Sequence, residues 1–342
     1  MEGPTPAGGP VSTADARPAG RTLLVLGGGG ALGAYQAGAV RALLRAGVVP
    51  DALYGCSAGA LNGAFLAAEP TPERAAALTG WWSDPRTRAV LAPTGWARLR
   101  GATALLTTRG LALHDARPLR RLVAEHVPGG DLAALPVPLV VTTTCLDCGA
   151  AEHHAAGPVD DVLAASCALP GLFGPVRLGD GHLHVDGGVV CGVPVERALA
   201  DAGPDDRVLV LDCGLAPVTG RPGACAADPT PRELAEEACG LPLGPSRGAY
   251  VPPVETARGL VEVVLRSFTV ARAVANRAAV AAALGDPRVH VLPHVADAWA
   301  AGLLERLPAG PRDLGATAAL VDAGAAAATA WLGASSGSAV PA

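Results

Sequence analysis

The chain has 342 residues, half of them hydrophobic and 17% charged, with a formal net charge of −5. That is enough apolar chain for a large α/β core, and the acidic balance excludes the basic face that nucleic acid requires. Lysine is absent, which excludes a lysine Schiff base and the lysine of a P-loop.

Residues 1–20 hold no apolar core, so they lack the central run of a signal peptide and are expected to be a disordered tail. Thr22 to Leu26 is a short continuous apolar run ending at glycine, the pattern of a strand buried on both faces. Ala34 to Ala46 reads as a helix stopped by Gly47, Ala52 to Tyr54 as a second strand, and Ala58 to Ala68 as a second helix. This β-α-β-α alternation predicts a parallel sheet with helices on its faces. Thr71 to Val127 reads as mostly helical, and Val137 to Thr144 as a strand rich in β-branched residues. Pro175 to Leu178 and His182 to Val185 flank Gly179-Asp180-Gly181 and predict a hairpin. Arg207 to Leu211 is a buried strand, Val254 to Leu284 a long helix, Val289 to Leu292 a last strand, and the end an Ala-rich helix. One domain over 21–334 is expected, followed by a loose tail at 335–342. No uninterrupted apolar stretch reaches the roughly 20 residues of a spanning helix, so a cytoplasmic protein is expected.

Eight cysteines are scattered through the chain; buried reduced thiols are the ordinary expectation. Cys145 and Cys148 form a C-x-x-C, but zinc would need a second ligand pair and a redox site a following helix. The pair reads instead as strand, turn and strand, with His153-His154 on the second strand. No metal and no cofactor are expected.

Two motifs compete for the chemistry. Gly28-x-Gly30-x-x-Gly33 after a strand satisfies the dinucleotide pattern G-x-G-x-x-G. The ribose-binding acid should then end the second strand, yet Asp51 precedes that strand and would lie at the wrong edge of the sheet. The second strand instead leads into Gly55-Cys56-Ser57-Ala58-Gly59, a G-x-S-x-G between strand and helix. There the chain reverses so sharply that the residues two before and two after the serine must be small; Gly55 and Gly59 satisfy this. Both motifs then serve one edge: backbone N–H groups near Gly28, Gly29 and Gly30 face an acyl carbon on Ser57. Such donors are worth about 3–4 kcal/mol each at an oxyanion, and glycine keeps a Cβ out of the approach.

The serine needs a base. His290 or His294 would complete a Ser…acid…His order, although neither has a distinctive context. Asp186 is sharper: it ends the hairpin strand and is followed by Gly187 and Gly188, which let another segment come close. A carboxylate of unperturbed pKa ~3.9 is a weak base, and a dry pocket would raise it.

Five segments, GGGGALGAYQAGAVRALLRAG, YGCSAGALNGAFLA, LVVTTTCLD, LAASCALPGLFGPVRL and HVDGGVVCGVPVERAL, lie in this order between about 22 and 215. In sequence and spacing they resemble the patatin-like phospholipase family; PRDLGATAALVDAG is more loosely similar. The resemblance implies a three-layer α/β/α fold with a mostly parallel sheet. It also implies a Ser-Asp dyad with Ser57 as nucleophile and Asp186 as base, an oxyanion loop over Gly28 to Gly33, and hydrolysis of lipid acyl esters without a metal. The expected partners are an acyl-ester substrate and, at the periphery, a membrane.

Two departures from that pattern stand out. Leu32 occupies a position where the family's loop commonly carries Arg or Lys, and Cys191-Gly192-Val193-Pro194 keeps the proline of an Asn-x-Pro but not its asparagine. They leave a second expectation open, a weakly active or inactive member used for lipid binding or protein interaction; nucleotide binding by the glycine loop is the remote third. An arginine at 32 is expected to be tolerated. Trp81-Trp82 reads as helix packing, with an interfacial anchor or lid as the alternative, and Asp212 as structural.

Overall fold

The structure is a computed structural model; it describes residues 20–92, 114–127, 130–214, 260–305 and 312–337. Nearly all of the expected N-terminal tail, residues 93–113 of the helical region, 254–259 of the long helix, Cys225, Cys239 and residues 338–342 lie outside the described residues.

Eight strands form one sheet: β1 (Thr22–Leu26), β2 (Ala52–Cys56), β3 (Leu139–Cys145), β4 (Ala151–His154), β5 (Val176–Arg177), β6 (Leu183–Asp186), β7 (Arg207–Leu211) and β8 (Val289–Val291). The order is β5-β6-β3-β2-β1-β7-β8, with β4 also paired to β3. The five strands from β3 through β8 in that order are parallel; β4 and β6 run antiparallel to β3, and β5 pairs antiparallel with β6. The mostly parallel sheet expected from the β-α-β-α rhythm is present, and its antiparallel margin is made by the hairpins.

Alternate residues of the strands feed two cores. Leu24, Leu26, Leu53, Leu139, Val141, Leu209 and Leu211 pack on one side, against α1 (Gly33–Arg45), α2 (Ala58–Ala67) and α3 (Pro72–Ser83). Leu23, Val25, Tyr54, Val140, Val208 and Val210 pack on the other. Three short helices follow: α4 (Pro85–Leu91), α5 (Arg117–His126) and α6 (Val159–Ser166). The second core is then closed by α7 (Val195–Asp201) and α8 (Leu260–Ala283) through Val195, Ala198, Val280 and Ala283. A strand whose two faces are both covered must be apolar at every position, which is why TLLVL reads as an unbroken run. The result is the three-layer α/β/α arrangement.

After α9 (Val295–Ala300), the last helix, α10 (Thr317–Gly337), continues into the first residues of the expected C-terminal tail. It lies against α1 on the outside of the first layer, contributing Leu320, Val321 and Ala327 to that core. The two helices touch backbone to backbone: a Cβ at Gly38 would overlap the carbonyl of Val321, and one at Gly324 would overlap that of Tyr35. In an open helix Gly→Ala gains up to about 1 kcal/mol, whereas overpacking costs about 1–3 kcal/mol, so the contact decides the sign. Gly38→Ala is expected to lower the urea midpoint; an unchanged or raised midpoint would show that α10 does not hold this close approach.

Candidate active site

The chain leaves β2 at Cys56 and reverses at Ser57, whose φ of 52° is the only positive value at a described non-glycine residue. Holding an L-residue there costs about 1–3 kcal/mol. The space needed for the reversal comes from its neighbours. A Cβ at Gly55 would sit 2.6 Å from the Cα of Ala60, and one at Gly59 would overlap the carbonyl of Leu26. The Ser57 N–H donates to Ser166 Oγ at 2.9 Å, and Ser166 in turn donates to the Thr142 carbonyl at 2.7 Å. The elbow is thereby pinned to β3.

That same strand positions the carboxylate. Cys56 lies opposite Thr142 in the parallel β2–β3 ladder, and Asp186 lies opposite the next residue, Thr143, in the antiparallel β6–β3 ladder. Since β4 occupies the other edge of β3 at Val141 and at Thr143, β2 and β6 share one edge and meet end to end. Ser57 Oγ donates to Asp186 Oδ2 at 2.7 Å, and the Gly188 N–H donates to Asp186 Oδ1 at 2.8 Å. Asp186 is buried, and burial pushes its carboxyl above the usual range against the pull of the Ser57 hydrogen bond, the Arg272 charge and the Gly188 N–H. A Cβ at Gly187 would overlap the Thr142 carbonyl, so that glycine admits β3 to the turn.

The glycine loop is placed at this edge, but not all of it is available to a substrate. The Gly28 N–H is committed to the Gly192 carbonyl at 2.8 Å, and the Gly33 N–H to the Gly30 carbonyl in the turn that opens α1. Gly33 is small because a Cβ there would overlap the Trp82 ring. These two leave the expected donor set: as the loop tightens into a helical turn, its own carbonyls and the 187–194 segment capture their hydrogens. Gly29 and Gly30 remain, and among the described residues their N–H groups and that of Ala58 have no protein acceptor. Gly30 has φ of 57°, which glycine adopts without strain. Below the loop, Gln36 Nε2 donates to the carbonyls of Gly27 and Leu211, Asn62 Nδ2 donates to Gln36 Oε1 and the Gly33 carbonyl, and Trp82 Nε1 donates to Asn62 Oδ1. This buried chain of amides fixes where the loop stands.

Above Ser57 and Asp186 opens a cleft of about 660 Å³, part of it continuous with solvent. Its wall is mainly apolar, including Leu61, Leu169, Leu172, Phe173 and Phe268, as suits an acyl chain. Two arginines, Arg272 and Arg312, reach it from the C-terminal third. Sequence reasoning missed both, because no local motif distinguishes them from surface arginines. Cys56 and Cys167 flank the carboxylate, and burial raises both thiols well above their ordinary range.

The other candidates fall away from Ser57. His290 is on β8, three strands from β2. His294 Nε2 is 2.6 Å from the Gly214 carbonyl. Asp51 accepts from the Thr22 N–H at the opposite edge of the sheet, where the dinucleotide pattern has no use for it. Asp212 accepts from the Gly214 N–H and from Asn276, a structural role as expected. Trp81 and Trp82 are buried, 7% and 1% exposed; they pack, and the anchor alternative fails. Potential metal-ligand atoms do gather near the C-x-x-C. Cys145, Asp147 and His182 form one set, and Cys145, Cys148 and Glu152 another; within each set the atoms lie within 4.8 Å of one another. Donors that the spacing lacks are brought in by the turns.

Leu32 overturns one expectation. It is fully buried in the core on the α1 side of the sheet, so an arginine there would bring a guanidinium into a dry site at a cost of several kcal/mol. Leu32→Arg is expected to lower the thermal midpoint sharply and reduce soluble yield. A wild-type melting curve would mean that the loop can turn position 32 outward.

Residues 24–199 match the sequence profile of the family described as patatin-like phospholipase. Patatin-like phospholipase domain-containing protein 7 of Mus musculus is 30% identical over 176 residues, 51% of this chain and 12% of that protein. Neuropathy target esterase sws of Drosophila persimilis is 30% identical over 172 residues, 50% of this chain and 11% of that protein. The chain thus matches only a small part of these much longer relatives. The crystal structure of VipD from Legionella pneumophila aligns over 93% of this chain and 67% of its own, at 15% identity and a TM-score of 0.41. With the profile covering half of its length and the α/β/α fold in place, the chain belongs to the patatin-like phospholipase family.

Proposed function

We propose that this protein hydrolyses carboxylic esters of lipids through Ser57 and Asp186, by way of an acyl-serine intermediate. The observation that carries the reading is the 2.7 Å hydrogen bond from Ser57 Oγ to Asp186 Oδ2 at the floor of an apolar cleft. As the Ser57 oxygen bonds to the acyl carbon, its proton passes to Asp186 and the carbonyl electron pair moves onto oxygen. The N–H groups of Gly29, Gly30 and Ala58 are the donors free to receive that oxyanion. Collapse expels the alcohol oxygen, which takes the proton from Asp186. Water then repeats the sequence on the acyl-serine, releasing the fatty acid and restoring Ser57. Among the described residues no helix is long and apolar enough to cross a membrane.

Two variants test the dyad. A fluorophosphonate probe is expected to label the wild type and not Ser57→Ala. Asp186→Asn is expected to keep the fold and to lose about 100- to 10,000-fold in turnover of short-chain p-nitrophenyl esters. Absence of both labelling and turnover in the wild type would defeat the hydrolase reading in favour of a lipid-binding member of the family.

The pH dependence follows from the raised carboxyl. Only the ionised form accepts the serine proton, so kcat/KM should rise with pH through a limb above the usual carboxylate range. The same shift acts on stability with a defined sign. A folded pKa above the unfolded value contributes stability below the unfolded pKa that is lost as pH rises through the folded one. Asp186→Asn removes this loss, and its melting temperature at neutral pH should equal or exceed that of the wild type; a marked drop would contradict the buried-carboxylate account.

A further inference from the structure

Arg272 stands on α8, outside the segment that carries the family match. It is only 7% exposed, yet among the described residues it forms no hydrogen bond or ion pair, and its Nε is buried without a partner. A buried guanidinium left unpaired costs several kcal/mol. Its surroundings show what offsets that cost. Arg272 lines the cleft together with Ser57 and Asp186. Its Nη1 and the Ser57 Cβ each lie 3.3 Å from the place a Cβ would take on Gly28. On the other side, its Cδ lies 2.8 Å, and Asp186 Oδ1 2.9 Å, from the place a Cβ would take on Gly188. The side chain therefore threads between the two glycine turns that frame the dyad, and a larger residue at either would displace it. Arg312, the other arginine on the cleft, is 3.0 Å from His114 Nε2; the glycine loop brings no cation, since Leu32 is in the core.

One turn further along α8, Asn276 fixes the helix on the same loops. Its Oδ1 fills the space beside Gly192 that a Cβ there would overlap, and its Nδ2 donates to Asp212 Oδ1 at 3.3 Å. Arg272 and Asn276 are four residues apart and so share one face of the helix, and that face covers the site.

We propose that Arg272 is the fixed counter-ion of the reaction centre, the cation that balances the negative charge as it moves from the Asp186 carboxylate to the substrate's carbonyl oxygen and back. This rests on the Ser57–Asp186 reading. In that sequence the proton leaves Ser57 for Asp186 while the carbonyl electron pair moves onto oxygen, so one negative charge is present at every stage and only its position changes. A cation held beside both positions compensates it throughout without rearranging, which is what a dry site requires. Among the described residues, the ionisable groups facing Asp186 are Cys56 from β2, Cys167 after α6 and Arg272 from α8, with the Ser57 hydroxyl between them; Arg272 is the cation of that set.

The test uses the full chain with Arg272→Met and Arg272→Lys. Turnover is measured on a neutral short-chain p-nitrophenyl ester and on an anionic phospholipid, and the Asp186 carboxyl is titrated by 13C NMR, assigned by difference from Asp186→Asn. Arg272→Met is expected to lower kcat about 100-fold, with KM nearly unchanged, and to raise the Asp186 titration by about one pH unit. Arg272→Lys should recover most of both, and it serves alone if the methionine variant does not fold, since both readouts should then stay near the wild type. An Asp186 titration that does not move in Arg272→Met overturns the proposal. So does a loss seen only as raised KM on anionic lipids, which would make Arg272 a head-group anchor. A wild type without turnover or serine labelling would sink the hydrolase reading by itself, while the titration would still decide for or against the counter-ion.

Discussion

Everything distinctive about this molecule depends on the register of β3. Two strands arrive on one edge of it from opposite directions, and consecutive threonines decide where they stop: Thr142 opposite Cys56, Thr143 opposite Asp186. The hydroxyl one residue past the first end and the carboxylate at the second are thereby set 2.7 Å apart. A slip of one residue in either ladder would turn one of them to the other face of the sheet. The many apolar β3 contacts on both faces are what make such a slip costly.

This arrangement concentrates unfavourable terms in a small volume. Ser57 is held at positive φ, Asp186 is buried with no ion pair among the described residues, and Arg272 is buried near it with its Nε unpartnered among them. Each costs a few kcal/mol in isolation, against a total stability of roughly 5–15 kcal/mol for a domain. Such a site survives only because its surroundings leave it no alternative. The Ser166 bridge, the Gln36–Asn62–Trp82 hydrogen-bond chain and the glycine turns allow the strained groups no room to relax. Stability is given up locally, as is common where activity needs a preorganised polar environment.

The C-terminal third has a larger part in the site than its lack of motifs suggests. α10 packs chiefly on α1, but α8 places Phe268 and Arg272 on the cleft and Asn276 behind the loops. The two departures at Leu32 and at 191–194 therefore cannot be judged from the matched segment alone. Where the N-terminal loop is apolar, a helix from elsewhere in the chain brings the charge.

The sequence by itself determined the parallel core and the tight turn at Ser57, and it singled out Asp186 as a candidate base ahead of the histidines. Each of these is written locally, in an apolar run of strand length, a glycine two residues to either side of the serine, or two glycines after an acid. Tertiary structure alone decided which backbone N–H groups stay free, because Gly28 and Gly33 lose theirs to carbonyls that folding brings near. It alone showed that Leu32 is core and that Trp81-Trp82 packs inward. It alone brought Arg272 to a serine 215 positions earlier in the chain. A strand or a turn is fixed by neighbours along the chain, whereas the pairing of a buried charge depends on segments that meet only in the folded state.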